Sequence, residues 1–163
     1  MVMRSRNKHY IAGMAEIIRL ATELKCPSFN LCSSKLRFLD GPHDFLRELK
    51  IMVHNTSRKF SISSLYVGGG EEEMGILRSL ESLLNRNVQG TLIVDGNRQN
   101  RSTGANHQLE LLSEKCSNFR LSKYVNKASR IFTNLSANCK IPEIFGVQHM
   151  KYYVFDDRIL LTG

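Results

Sequence analysis

No stretch of this chain approaches the ~18 apolar residues that a membrane-spanning helix needs. No secretory signal opens it either. Any membrane contact would therefore be peripheral. Zinc-type cysteine spacing is missing. The four cysteines are Cys26, Cys32, Cys116 and Cys139, and the pair in closest sequence lies six positions apart, unlike the usual zinc spacings. They read as reduced thiols of an intracellular compartment. There is no Walker loop, because Gly68-Gly69-Gly70 runs into glutamates rather than Gly-Lys-Ser/Thr. Internal repeats and low-complexity tracts are absent. Acidic residues are in short supply: 15 stand against 23 lysines and arginines, for a net charge of +8. That excess suits an anionic partner, whether nucleic acid, a phosphorylated substrate or an anionic membrane surface, and charge alone does not choose among them.

What is present fits a globular chain. Its 163 residues make one domain at most, and 42% apolar with 23% charged residues is an ordinary balance. The first 24 residues begin basic, with Arg4, Arg6, Lys8 and His9, and then carry an imperfect helical stripe of Ile11, Met14, Ile17, Ile18 and Leu24. Two readings stand: an Arg-bearing mitochondrial targeting helix, weakened by Glu16 and Glu23, or an amphipathic surface helix. Pro27 ends it.

Further on, residues 35–39 suggest a short strand. Helical spacing of Phe45, Leu46, Leu49, Met52 and Val53 predicts a helix over 42–54, opened by Pro42. Residues 58–67 alternate as a strand. The glycines then lead into a helix ending near Asn85, with Met74, Leu77, Leu80, Leu83 and Leu84 on its apolar side. Residues 91–95 read as a buried strand, 95–101 as a polar loop bearing Arg98 and Arg101, 106–116 as a helix and 119–125 as a strand. A long loop or irregular helix is expected over 127–140. Strands alternating with helices predict an α/β layer fold.

The densest chemistry lies at the end of the chain, in GVQHMKYYVFDDRILLTG. It reads His149-x-Lys151-x4-Asp156, with Gly163 after a further apolar run. A neutral imidazole can attack the phosphorus of a phosphodiester and hold it covalently, splitting one hard step into two. An ammonium two residues away can neutralise phosphoryl oxygens as charge redistributes. Residues two apart share a face of a strand, and the Tyr, Val and Phe of 150–155 favour a strand. Asp156-Asp157 then forms a turn into a return strand over 158–161. Asp156 falls past the strand end, so it is expected to orient the site rather than to attack. Arg98 and Arg101, in a loop after a strand's carboxyl end, could fork onto phosphate oxygens or form a solvated basic loop. The 64–71 turn could offer backbone N–H groups to phosphate or serve as a plain turn and cap, since its glutamates repel phosphate while suiting the helix dipole.

This motif resembles the signature of the phospholipase D superfamily. Gly-Val-Gln-His-Met-Lys-Tyr-Tyr-Val-Phe-Asp looks more narrowly like its eukaryotic phosphatidylglycerophosphate synthase branch. The Asp-x-x-Arg-x-x-Arg spacing at 95–101 and Ser-Leu-Tyr-x-Gly-x-Gly at 64–70 are similar to that branch as well. Gly96, Asn97, Gln99 and Asn100 depart from its usual intervening residues. The resemblance covers about residues 29–163. It implies the phospholipase D α/β/α sandwich, one N-terminal half of a two-motif fold, preceded by the basic segment 1–28. In the family the motif is followed by a second half carrying a second motif, and the chain is expected to be the front half of such a protein.

The implied reaction is phosphatidyl transfer from CDP-diacylglycerol to glycerol-3-phosphate, releasing CMP, by way of a phosphohistidine. His149 would be the nucleophile or its acid/base partner, Lys151 would neutralise phosphoryl oxygens, and Asp156 would orient the site. Arg98 and Arg101 are candidates for substrate phosphates. Ser64, Leu65, Tyr66, Val67, Gly68, Gly69, Gly70 and Glu71 are candidates for nucleotide. No metal or other cofactor is implied: the Asp-Gly-x2-Ala-Arg signature of the magnesium-dependent CDP-alcohol phosphotransferases is absent, since Asp40-Gly41 and Asp95-Gly96 lack its remainder. The second histidine would come from the second half or from a symmetric homodimer. The implied place is the mitochondrion, peripheral to the inner membrane, with no nucleic-acid partner. Two other classes remain: a homodimeric phosphodiesterase or nuclease of the same superfamily, and an inactive fragment that only binds anionic lipid.

Overall fold

The computed structural model describes residues 15–27, 31–126 and 146–162. The chain divides into two compact units, Met1–Leu39 and Asp40–Gly163. In the first, residues 15–23 form a helix, α1, held by Arg19 between Glu16 and Glu23. Its apolar residues Ile17, Ile18 and Leu24 are exposed. Residues 1–14 lie outside the described residues, so the basic start of the expected stripe does too. The strand expected over 35–39 is absent. A single 3-10 turn, Ser33–Lys35, is followed by extended chain with no strand partner.

The second unit is built on a five-stranded sheet of order β3-β2-β1-β4-β5. Its strands are β1 (Lys59–Ser63), β2 (Gln89–Asp95), β3 (Phe119–Tyr124), β4 (Tyr152–Phe155) and β5 (Arg158–Leu161). The first three run parallel, and β4 and β5 are antiparallel to their neighbours. The connecting helices are α2 (Pro42–Asn55), α3 (Glu71–Asn85), the single turn α4 (Gly96–Gln99) and α5 (Thr103–Lys115). α2 starts at Pro42, whose missing N–H is no loss at a first helical position. α3 starts with Glu71, Glu72 and Glu73, which complement its N-terminal dipole.

The crossovers β1-α3-β2 and β2-α5-β3 step in the same direction along the sheet. Right-handed crossovers therefore place α3 and α5 on one face, and α2 packs beside α3 on that face. It is the face of Phe60, Ile62, Leu92 and Val94, all buried. Across it runs a row set by register: Phe119, Gly90, Phe60 and Phe155. Phe60 lies 6.2 Å from Phe119 and 6.1 Å from Phe155, ring centre to ring centre. The row closes only because Gly90 lacks a side chain. A Cβ there would strike the Phe60 ring and lie 2.9 Å from Phe119. The opposite face is more open among the described residues, with Ile159 65% and Leu161 70% exposed.

Further segments differ from the sequence expectations. β1 stops at Ser63 rather than at 67, although Ser64 N–H still bonds to the Ile93 carbonyl and Asp95 N–H to Leu65. The polar loop at 95–101 contains α4, capped by Asp95 Oδ1, which accepts the Arg98 N–H at 3.0 Å. β4 begins at Tyr152, because its partner β1 ends opposite it at Ser63. The expected loop at 127–140 lies outside the described residues.

Candidate functional site

Four segments converge at one edge of the sheet. Residues 64–70 leave the carboxyl end of β1, 96–102 leave that of β2, and 125–126 leave that of β3. Residues 146–151 enter the antiparallel β4 at the same edge. Ligand sites of open α/β sheets form at such carboxyl ends.

His149 and Lys151 lie in the segment entering β4, His149 exposed and Lys151 half-buried. Both are therefore just ahead of the strand, whereas the sequence expectation of a strand over 150–155 puts Lys151 inside it. The segment is fixed by a buried polar cluster around His149. Asp95 Oδ2 accepts the Gln148 backbone N–H at 3.1 Å. The Ser63 hydroxyl donates to the Met150 carbonyl at 3.1 Å. Gln148 Nε2 donates to Ser63 Oγ and, at 3.3 Å, to the Met150 carbonyl. Asp95, Ser63 and Gln148 are all buried. Gln148 Oε1 is buried and has no hydrogen-bond partner. Ahead of the cluster Gly146 turns the chain at φ +115°, a conformation in which a Cβ is strained.

Asp156 is not beside the histidine. It occupies the β4–β5 turn, at the other end of a strand that separates it from Lys151 by about 16 Å of extended chain. Its carboxylate accepts the backbone N–H groups of Ser57, Arg58 and Lys59 at 2.9, 3.0 and 2.9 Å, and the Ser57 hydroxyl at 3.2 Å. Partial desolvation acts to raise its pKa. The Lys59, Ser57 and Arg58 amides and the Ser57 hydroxyl outweigh that and hold it at about 2. The expected orienting role is thus not a contact with His149. The carboxylate joins the α2–β1 connection to the β4–β5 turn.

Arg98 and Arg101 line a cleft of about 450 Å³ with Tyr66, Gly68, Gly69 and Ser102. The structure thus joins the arginine loop to part of the 64–71 stretch. The joint is Gln99, fully buried, whose Oε1 accepts the Val67 N–H at 2.7 Å and whose Nε2 donates to the Val67 carbonyl at 3.3 Å. Ser64 closes a local turn by donating to the Tyr66 carbonyl at 3.1 Å, while Leu65 lends its carbonyl to Asp95. Glu73 turns back on the glycines, so that a Cβ on Gly68 would lie 3.1 Å from its Oε1. With Gly70 and Glu71 at the start of α3, a carboxylate already occupies the place where phosphate would meet the helix. The cationic side of this loop is the one facing the arginines. Among the described residues, no three His, Cys, Asp or Glu side chains group as metal ligands.

Sequence reasoning missed Ser63, Gln99, Gln148 and the reach of Asp95. Only Asp95 left a local signal, as a helix cap residue.

No protein-family model matches the chain. Among curated proteins it is similar to the mitochondrial CDP-diacylglycerol–glycerol-3-phosphate 3-phosphatidyltransferase of Gallus gallus, 26% identical over 147 residues. To that of Cricetulus griseus it is 29% identical over 147 residues. Each match takes in 84% of this chain but 26% and 27% of the relative. The chain thus spans about a quarter of the length of the relatives it matches. Among solved structures, phosphatidylserine synthase of Haemophilus influenzae superposes with a TM-score of 0.57 at 20% identity, over 82% of this chain and 29% of that one. This chain has the phospholipase D-type fold, and its sequence is similar to proteins named as phosphatidylglycerophosphate synthases. In this chain the edge where His149, Lys151, Arg98 and Arg101 gather is the candidate site. No helix among its described residues is long and apolar enough to cross a membrane.

Proposed function

We propose that this chain supplies one catalytic half-site for phosphatidyl transfer from CDP-diacylglycerol to glycerol-3-phosphate, giving phosphatidylglycerophosphate and CMP. The observation that carries the reading is the fixed His149–Lys151 segment at the carboxyl edge of the sheet, in a chain related to synthases bearing that name.

In the first step an imidazole nitrogen attacks the phosphorus bearing diacylglycerol. The bond to the CMP oxygen breaks, and a second imidazole protonates the leaving CMP. In the second step the same partner takes the proton from a glycerol-3-phosphate hydroxyl, which attacks the phosphohistidine and frees the first imidazole. His149 fills one of these two roles, nucleophile or acid/base. The other histidine comes from further sequence or from a second copy of this chain. Lys151 neutralises the phosphoryl oxygens. Arg98 and Arg101 hold a substrate phosphate beside Gly68 and Gly69. Asp156 acts through the fold, by fixing the far end of β4. The reading uses no metal, and it puts the protein in the mitochondrion, peripheral to the inner membrane; the relatives' names support the mitochondrion and the +8 charge suits an anionic surface.

The test is transfer of labelled glycerol-3-phosphate onto CDP-diacylglycerol with metal chelated. His149 is exposed, so His149→Ala leaves the core intact. With both histidines present, from a second copy of the chain or from further sequence, the reading expects product, and a fall of roughly 10³-fold or more in the variant. Transfer that survives His149→Ala unchanged would sink it.

A further inference from the structure

The loop that carries Tyr66 and Gly68 has a second side. Opposite the arginine cleft it forms the rim of a cavity of about 390 Å³ between α2, α3 and the sheet. Leu46 and Leu49 line it from α2, Ile76 and Leu80 from α3, and Ile62 and Leu92 from the sheet. That volume lies within the range of small-molecule sites, roughly 300–1,000 Å³, and its walls are mostly apolar, with Ser64, Glu72 and Glu73 as polar lining. Tyr66 and Gly68 line both spaces, so the apolar cavity and the cationic cleft meet across one short loop. Charge is sorted along the same line. Glu72 and Glu73 stand at the cavity's edge, Glu72 held by Lys50 at 2.6 Å, whereas Arg98 and Arg101 stand across the loop. A ligand that uses both spaces is an amphiphile with its anionic head at the arginines and a single hydrocarbon chain between the helices.

We propose that the α2–α3 cavity holds one acyl chain of the anionic phospholipid substrate, with its phosphate at Arg98 and Arg101. This rests on the phosphatidyl-transfer reading for the identity of the lipid, and not for the binding itself. The chain's entry removes methylenes from water, and each one buried raises affinity roughly three- to fourfold until the cavity is full.

The experiment measures binding of 1-acyl-glycerol-3-phosphates of increasing chain length, below their micellar concentrations, with chain-free glycerol-3-phosphate as reference. Unmodified protein is expected to bind more tightly with each added methylene and then to level off. Ile76→Trp and Leu46→Trp fill the cavity from two different helices at half-buried positions. Both are expected to move the plateau to shorter chains and leave glycerol-3-phosphate unchanged. Arg98→Ala is expected to weaken every chain length by a similar factor. A melting curve on each variant separates cavity filling from unfolding. Affinity independent of chain length, or a plateau that neither tryptophan moves, overturns the proposal. If chain-length dependence holds while no transfer occurs, the transfer reading fails alone. If transfer occurs with a flat chain-length profile, the cavity proposal fails alone.

Discussion

Asp95 and Gln148, 53 residues apart, are joined by a buried hydrogen bond: Asp95 Oδ2 accepts the Gln148 backbone N–H at 3.1 Å. The same carboxylate caps α4 through Arg98 N–H. One side chain therefore sets both the arginine loop and the residue that precedes His149. Asp95→Ala leaves two amides without their acceptor and should destabilise the fold by about 2–4 kcal/mol. Gln148→Leu is the sharper probe. It removes the bonds to Ser63 and Met150 but also a buried oxygen that has no partner. Stability should change by about 1 kcal/mol or less, while kcat falls at least tenfold with KM little altered. Equal kcat in the two proteins would show that Gln148 does not position the histidine.

Asp156→Asn tests the far end of β4. The native carboxyl sits at about 2, below its ordinary value of 3.8. A depressed carboxyl stabilises the fold above its unfolded pKa, and that contribution is lost as pH falls through the folded value. Urea unfolding of the native chain should lose stability between about pH 4 and pH 2 that the variant never had, so the difference between them narrows on acidification. Asparagine tolerates the φ of +51° at this position, which leaves the backbone unchanged. A difference constant from pH 6 to pH 2 would contradict the assignment.

Gly90→Ala should cost about 1–3 kcal/mol by overpacking the Phe60 and Phe119 rings. A smaller residue at Phe60 should restore part of it: Gly90→Ala with Phe60→Leu is expected to lose less than the two single changes summed. Strict additivity in chemical denaturation would mean the ring row is not the cause.

Gly146→Ala forces a Cβ into φ +115°, at a cost of roughly 1–3 kcal/mol. The strain falls on the segment entering β4, so activity should drop further than global stability. An unchanged melting temperature with full activity would contradict this.

Much of the architecture was legible because it is local. Leucines at helical spacing marked α3 to its last residue, Asn85, and Pro42 marked the start of α2. The Asp156-Asp157 turn and its return strand followed from composition alone. Strand ends were not legible, because they depend on partners: β4 starts at Tyr152 only because β1 ends opposite it at Ser63. Residues 35–39 have strand-like composition and no strand to pair with. The candidate site's charged residues stand out in the sequence, whereas the contacts that hold them in place do not. Gln99 reaching Val67 and Asp156 reaching the Ser57–Lys59 amides are contacts 32 and about 100 residues apart, and no local pattern encodes them. Asp156 was assigned to the site by its spacing from His149, yet a strand carries it to the opposite edge.

The most direct measurement is the half-reaction. The chain is mixed with CDP-diacylglycerol, metal chelated and no acceptor present, and CMP is followed through the first turnover. With both histidines present, from a second copy of the chain or from further sequence, the account predicts a burst of CMP that approaches one per active site in the unmodified protein and is absent in His149→Ala. A burst of equal size in both proteins would contradict it, because His149 would then have no part in breaking the bond to CMP.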